Sequence, residues 1–225
     1  MDAKAIIAAR AAQFLQDGDV VNLGIGLPEQ LVNYLPEGIE IFTQAENGIL
    51  IMGPTPTPEQ ENPYIVNAGG RFVTVQPGAS YFDSAQSFGY IRGGHVDRTV
   101  LGALQVDQTG CLASHIIPGK LVPGMGGAMD LVAGAKQVII VTTHTAKEAP
   151  KILKKCTLPL TAYRKVNWIV TELAVFEVTT DGLVLREIHQ DSSLEEITAK
   201  TEADFTVAED VKRFWGQRAR AVIKR

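Results

Sequence analysis

One carboxylate, Glu46, stands between two apolar runs, at the point where a buried strand should end. Asn47 and Gly48 follow it, and both are typical of a sharp turn. A charge held between apolar segments is costly unless it is hydrogen-bonded or used. An ionised carboxylate can attack an activated acyl group, such as a thioester, and form an acyl anhydride. The first hypothesis for Glu46 is therefore covalent catalysis.

A glycine-rich run further along the chain could support such chemistry. Charge develops on the former carbonyl oxygen when a carboxylate attacks a thioester, and backbone amides can stabilise that charge. Residues 124–127, with the sequence GMGG, precede an expected helix start and let the backbone approach a ligand closely. A tight loop without any ligand would explain the same glycines, so both interpretations stay open.

Two other interpretations of Glu46 remain. Gly24 and Gly26 follow an expected strand and open a helix, and Glu46 comes about 20 residues later, as in dinucleotide-binding folds. In that motif, however, Glu29 would take the third glycine position and would face the pyrophosphate with a negative charge. The other alternative is a solvated carboxylate or a helix cap, which is the ordinary role of a glutamate at a strand end.

The composition excludes several classes of function. The 225-residue chain is 45% hydrophobic, with a net charge of -4 and no basic cluster. These values are typical of a globular protein and argue against general binding to nucleic acid or to anionic membranes. Cys111 and Cys156 lack metal or redox spacing, and the histidines lack ligand spacing, so no metal is expected. The N-terminus predicts an amphipathic helix, not a signal peptide, and no apolar run reaches membrane-spanning length. We therefore expect a cytoplasmic protein.

Alternating strands and helices predict an α/β fold with an open, mainly parallel sheet, flanking helices and a late antiparallel hairpin. The expected hairpin turn is at residues 179–182, and we expect this hairpin to form an antiparallel edge of the sheet. We predict a single domain over residues 1–225. The predicted strands are 20–23, 39–42, 72–75, 99–106, 138–141, 168–178 and 183–188. The predicted helices are one carrying Ile7, Ala11, Phe14 and Leu15, one from Pro28 carrying Leu31 and Leu35, 82–92, 129–135 and 194–201.

Several linked motifs together resemble the B subunit of the family I 3-oxoacid CoA-transferases. They are NLGIGLPEQL, AENGIL, SFGYIRGGHVDRTVLGALQVD and GMGGAMDLV, and the resemblance runs from about residue 5 to about residue 205. Residues 151–162, KILKKCTLPLTA, are similar to the acetate/butyrate–acetoacetate branch. The resemblance implies a CoA-transferase-like fold and CoA-transferase activity.

The resemblance implies that Glu46 is the catalytic glutamate. It would attack the acyl-CoA and then carry CoA as a glutamyl thioester in a ping-pong cycle, with the Gly127 N–H in the oxyanion hole. CoA would be substrate and covalent intermediate, with no permanently bound cofactor and no metal. The residues that the resemblance places around substrate and CoA are Gly24, Gly26, Asn47, Gly48 and Gly126.

The family's active site lies between two halves, so the resemblance also implies an A subunit as partner, in a heterotetramer. The substrates would be short-chain acyl-CoA and carboxylates. The alternative is a regulatory subunit of the same fold that binds CoA or a nucleotide without catalysis. The chain departs from the family pattern at Ala45, where serine is usual, at Gly70, and at Ser114 and His115.

Overall fold

The computed structural model describes residues 2–120, 122 and 124–215. The α-helices are α1 Ala3–Ala12, α2 Ser84–Arg92, α3 Ala128–Gly134 and α4 Leu194–Lys200, and 3-10 helices span Pro28–Tyr34 and Pro58–Gln60. The strands before α3 are β1 Val20–Leu23, β2 Phe42–Ala45, β3 Ile49–Met52, β4 Val75–Tyr81, β5 Arg98–Leu101, β6 Gln105–Asp107 and β7 Leu112–Ala113. Those after it are β8 Gln137–Val141, β9 Thr145–Ala146, β10 Ala149–Pro150, β11 Ile152–Leu153, β12 Trp168–Val170, β13 Ala174–Thr179, β14 Gly182–His189 and β15 Phe205–Phe214.

The described residues form one large sheet of ten strands in the order β15-β14-β13-β12-β8-β5-β1-β2-β3-β4. Its middle, from β12 to β2, is parallel throughout. Antiparallel hairpins flank this middle on both sides, β2-β3-β4 on one and β12-β13-β14 on the other. The predicted mainly parallel sheet with a late hairpin is confirmed.

Apolar layers cover both faces of the sheet, as β8 shows. Val138 and Ile140 belong to one buried cluster, which includes Ile91 of α2 and Leu131 of α3. Ile139 and Val141 belong to the other cluster, which includes α1 residues. Because neighbouring strand residues point to opposite faces, a strand buried on both faces is apolar at every position. This explains why residues 138–141 are an unbroken run of valine and isoleucine.

Four strand predictions need correction in their boundaries. The second strand is Phe42–Ala45 and not 39–42, because the backbone before it bonds to the turn at residues 17–18. The third is Val75–Tyr81 instead of 72–75. The run 99–106 is two strands, Arg98–Leu101 and Gln105–Asp107, interrupted at Gly102. The run 168–178 is also two strands, which pair antiparallel with each other.

The remaining corrections concern the ends of the sheet and one helix. The hairpin β13-β14 is not the sheet edge, because β15 pairs with β14 outside it in parallel. Neither β15 nor β3 was predicted as a strand. The segment from Pro28 is a 3-10 helix that ends at Tyr34, so Leu35 lies just beyond it. The helices predicted at the N-terminus, 82–92, 129–135 and 194–201 are present with small shifts at their ends.

Two further predictions concern cysteines and membranes. Cys111 and Cys156 are both free, with Cys111 buried and Cys156 half-buried. Within the described ranges, no helix combines the length and apolar character needed to cross a bilayer.

Candidate active site

Glu46 begins the three-residue turn that joins β2 to β3. The strands pair antiparallel with Ala45 opposite Ile49, and the Gly48 N–H donates to the Ala45 carbonyl at 3.0 Å. Gly48 has φ 118°, and a Cβ there would lie 1.9 Å from the carbonyl oxygen of Phe82. Only glycine fits both the backbone conformation and this close approach. The sharp turn predicted from Asn47 and Gly48 is present, and it sets the direction of Glu46.

The Glu46 carboxylate lies at the carboxyl end of the parallel sheet, on the face covered by α2 and α3. Its side chain lies on the same face as that of Gln44, because Asn22 Nδ2 contacts both Gln44 Oε1 and Glu46 Oε2. Glu46 is half-buried, and its Oε2 accepts a hydrogen bond of 3.2 Å from Asn22 Nδ2 on β1. A neutral amide therefore orients one oxygen of a partly shielded carboxylate.

Gly127 lies against the side chain of Glu46. It is buried directly before α3, with φ −83°, which any residue can adopt. A Cβ added to Gly127 would lie 3.2 Å from Glu46 Cγ and 3.3 Å from ring carbons of Phe88. Glycine is needed here for space and not for backbone conformation. Two motifs far apart in the sequence thus meet as the hypothesis requires, and the oxyanion role of Gly127 stays a prediction.

Three buried polar residues beneath Glu46 were missed by the sequence argument. Asn22, Gln44 and Ser87 are 1%, 2% and 0% exposed. The Asn22 amide donates to Gln44 Oε1 at 2.8 Å, and Gln44 Nε2 donates to Ser87 Oγ at 2.9 Å. A sequence signal existed, since an asparagine interrupts the apolar run of β1 and a glutamine precedes Ala45 in β2. Their pairing depends on the register between the strands.

Gly26 does not offer a free amide to a ligand. Its N–H donates to Glu29 Oε2 at 2.9 Å. Glu29 also pairs with Arg71 at 3.0 Å and accepts from Asn67 Nδ2 at 3.1 Å. An internal carboxylate therefore occupies the position where a dinucleotide phosphate would bind. This geometry argues against the dinucleotide interpretation of the glycine motif.

The loop after β1 and the loop at residues 65–71 lie beside the turn that carries Glu46. Asn47 Nδ2 donates to the Val66 carbonyl at 2.8 Å, which ties the turn to that loop. A Cβ on Gly69 would lie 3.0 Å from the Ile25 side chain, so the two loops touch. Gly24 bonds to Val100 of β5 at 2.8 Å. Among the described residues, no hydrogen bond joins Gly24 or Gly26 directly to Glu46.

Gly126 and the three family departures have distinct surroundings. Gly126 is exposed with φ 54°, and Gly70 is exposed in the turn at residues 67–70. Ala45 is 3% exposed inside the β2-β3 hairpin. Ser114 Oγ and His115 Nδ1 both contact Thr161 Oγ1, at 2.9 and 3.1 Å. These two side chains are therefore held by a neighbouring loop.

The other candidate reactive groups have structural explanations. His144 is buried between Thr171 and Thr201, each 2.9 Å from a ring nitrogen, and burial, with nearby Lys200, lowers the pKa of His144 to about 4. Burial, with nearby Asp107, raises the pKa of the Cys156 thiol to about 12, so little thiolate forms at neutral pH. Across the described ranges, no three His, Cys, Asp or Glu side chains are grouped to hold a metal.

Comparison with known proteins agrees with the geometry. Residues 4–200 match the family model described as coenzyme A transferase. The chain is 59% identical over 213 residues to the acetate CoA-transferase subunit beta of Haemophilus influenzae, covering 94% of this chain and 95% of that protein. It is 56% identical over 212 residues to the protein of the same name from Escherichia coli K12, covering 94% and 97%.

Solved structures support the fold. The acyl-CoA transferase YdiF of Escherichia coli O157:H7 superposes with a TM-score of 0.77 at 23% identity, over 95% of this chain and 43% of that protein. This chain thus spans less than half of YdiF. The decarboxylase AibA/AibB superposes with a TM-score of 0.69 at 20% identity, over 96% and 90%. A shared fold does not decide the reaction, but the matched model and the two 56–59% identical relatives do decide the family. The chain belongs to the coenzyme A transferase family.

Proposed function

We propose that the chain transfers CoA from a short-chain acyl-CoA to a free carboxylic acid through a covalent intermediate on Glu46. The observation that carries the proposal is the position of the Glu46 carboxylate, half-buried at the carboxyl edge of the sheet between Asn22 and Gly127. Ligands of open α/β sheets gather at this edge. The names of the relatives favour acetate as one of the acids.

In the first half-reaction, a free oxygen of Glu46 attacks the thioester carbon of the acyl-CoA. The carbon–sulfur bond breaks, CoA leaves as its thiolate, and an acyl-glutamyl anhydride forms. The thiolate then attacks the glutamyl carbonyl carbon. The first acid leaves as a carboxylate, and Glu46 carries CoA as a thioester.

In the second half-reaction, the acceptor carboxylate attacks the glutamyl thioester and expels the thiolate again. The thiolate attacks the acceptor carbonyl of the new anhydride, which yields the new acyl-CoA and restores the Glu46 carboxylate. The energy of the thioester is kept throughout, so the cycle requires no external energy source. Every step proceeds through an addition that places negative charge on a carbonyl oxygen.

The neighbours of Glu46 suit these steps. Asn22 Nδ2 holds Oε2 at 3.2 Å, which leaves Oε1 for the attack. We propose the Gly127 N–H as a donor to the oxyanion, because the lack of a side chain lets this backbone approach the glutamate. Asn47 and Gly48 aim the glutamate, while Gly24, Gly26 and Gly126 shape the surrounding loops. The Gly26 N–H already donates to Glu29, so Gly26 shapes its loop through that hydrogen bond.

We also propose that an alpha subunit completes the site, as the names of the beta-subunit relatives suggest. Large apolar side chains are exposed on the segments around Glu46. Ile25 is 62%, Val122 is 70% and Met129 is 52% exposed. Exposed apolar groups of this kind favour a protein interface over free solvent. The described residues fit a single domain that supplies the nucleophile, with the partner supplying the rest of the acyl and CoA site.

The test uses this chain combined with its cognate alpha chain. Incubation with acyl-CoA and no acceptor should add the mass of CoA to this chain, on Glu46, and the adduct should disappear when acetate is added. Glu46→Gln should remove the adduct and reduce turnover by several powers of ten, because an amide cannot form the anhydride. Exposed Glu37→Gln is the matched control and should keep full activity.

Two outcomes would contradict the proposal. The first is near wild-type turnover by Glu46→Gln, checked by mass spectrometry for deamidation. The second is CoA binding by the wild-type complex without any covalent adduct, which would instead support a regulatory subunit. Full activity of the isolated chain at nanomolar concentration would contradict the need for an alpha subunit.

A further inference from the structure

A buried row of polar side chains connects the inner face of α2 to the Glu46 carboxylate. Ser87 Oγ accepts from Gln44 Nε2 at 2.9 Å, Gln44 Oε1 accepts from Asn22 Nδ2 at 2.8 Å, and Asn22 Nδ2 reaches Glu46 Oε2 at 3.2 Å. The inner three residues are at most 2% exposed. Water has little access to these side chains, so the loss of one hydrogen bond would leave a buried polar group without a partner, which is costly. Each hydrogen bond therefore constrains the orientation of the next side chain in the row.

The direction of the row follows from its chemistry. An ionised carboxylate and a backbone carbonyl only accept, so Asn22 must turn its NH₂ group towards Glu46 and the Gln44 carbonyl. Gln44 must then turn its oxygen towards Asn22 and its NH₂ group towards Ser87 Oγ, which accepts. The opposite orientation of Asn22 would place its oxygen against the Glu46 carboxylate and the Gln44 carbonyl.

The hydrogen-bonding groups of the Asn22 side chain are unequally satisfied. Its NH₂ group has two hydrogens and faces three oxygens: the Gln44 carbonyl at 3.0 Å, Gln44 Oε1 at 2.8 Å and Glu46 Oε2 at 3.2 Å. Its buried Oδ1 accepts no hydrogen bond from any described residue. An unsatisfied buried oxygen favours rotation of the amide towards any donor. The Gln44 side chain opposes that rotation, because it holds the NH₂ group by its shortest bond.

We propose that Ser87 and Gln44 are positioning residues that act through Asn22 to keep the Glu46 carboxylate aimed for attack. This inference rests on the proposed function of Glu46 as the nucleophile. The row is neutral, and among the described residues no lysine or arginine pairs with Glu46. A cation would hold the carboxylate through a stronger, charge-assisted bond and would reduce its nucleophilicity. A neutral amide supplies direction at a smaller loss of reactivity.

The experiment measures the single-turnover rate at which acyl-CoA loads CoA onto this chain in the complex with its alpha chain. Gln44→Met keeps the volume but removes both hydrogen bonds, and we expect loading to slow about tenfold or more with KM changed less than about twofold. Ser87→Ala should slow loading about threefold, because Gln44 loses only its anchor. Exposed Gln86→Met and Ser84→Ala on α2 are the matched controls and should load at the wild-type rate.

A double variant separates positioning from general loss of structure. If the row acts as a unit, Gln44→Met combined with Ser87→Ala should load no more slowly than Gln44→Met alone. If the Gln44→Met variant does not assemble with the alpha chain, the loading rate of Ser87→Ala is the test. Three results would each overturn the inference. They are single variants that load at the wild-type rate, losses that multiply in the double variant, and a raised KM with an unchanged loading rate. Absence of any adduct in the wild-type complex would instead overturn the proposed function.

Discussion

Replacing Gly127 by alanine inserts one methyl group between the proposed nucleophile and an aromatic ring. The added Cβ would lie 3.2 Å from Glu46 Cγ and 3.3 Å from ring carbons of Phe88. These distances are shorter than an ordinary carbon–carbon contact, so one neighbour must move. Because φ at this position is −83°, alanine adds no backbone strain. The substitution therefore tests the position of the carboxylate and not the conformation of the loop.

The size of the effect follows from the displacement. Relief of these contacts needs a shift of roughly 0.3–0.5 Å in Glu46 or Phe88, judged against van der Waals separations. A misplacement of about 1 Å at a reacting group costs on the order of a hundredfold in rate. If the loss scales exponentially with distance, Gly127→Ala should reduce kcat about four- to tenfold. Gly127→Val should lose more, since it adds bulk at the same place and disturbs the amide proposed for the oxyanion.

The assay is steady-state CoA transfer by the two-subunit complex, together with thermal unfolding. Gly89→Ala is the matched control, because it adds the same methyl to an exposed position of α2 where nothing lies within 4 Å. The control should keep kcat and gain slightly in stability, as alanine is the better helix former. A normal kcat with a raised KM in Gly127→Ala would make residues 124–127 a binding loop. Unchanged kcat and KM would show that the position of Glu46 tolerates the shift.

Two further predictions concern stability. Gly48→Ala should lower the free energy of unfolding by more than about 2 kcal/mol, measured by denaturant titration, because it combines φ 118° with a 1.9 Å approach to the Phe82 carbonyl. Gly38→Ala, with φ 77° and open space, should cost only about 1 kcal/mol, and equal losses would refute the steric argument. The lowered pKa of buried His144, about 4, means that the unfolded chain takes up its proton first as the pH falls below about 6.5. Wild-type stability should therefore fall relative to His144→Gln by roughly 1.4 kcal/mol per pH unit between about pH 6 and 4.5, and parallel stability–pH curves would contradict this.

Local patterns were enough to locate the central strands, the helices and the turn that carries Glu46. The run at residues 138–141 is apolar at every position because β8 is buried on both faces, and this property is visible without a partner strand. Asn47 and Gly48 indicated a sharp turn because glycine readily adopts the required backbone conformation. The linked motifs around Glu46 and Gly127 carried the family, which the comparisons confirm.

Strand boundaries and edge strands depended on tertiary contacts. Residues 39–41 include two isoleucines, as a strand might, but Glu40 bonds to the turn at 17–18 and Ile39 bonds to Pro36, and β2 starts at Phe42. Only Ala208 and Phe214 of the ten β15 residues are buried, so the strand shows no alternating burial pattern, and it forms because β14 offers it hydrogen bonds. A strand of this kind is determined by its neighbour and not by its own sequence.

The interior of the site was also decided by the tertiary structure. The sequence by itself determined that a carboxylate would end a strand, that glycines would surround it, and that the chain would resemble a CoA-transferase subunit. It did not determine that Asn22 pairs in register with Gln44, that Ser87 lies above them, or that Glu29 bonds to the Gly26 amide. The Asn22, Gln44 and Ser87 contacts join separate elements of the fold, and a shift of one residue in register would turn each strand side chain to the other face. Their geometry exists only once the sheet and α2 have packed together.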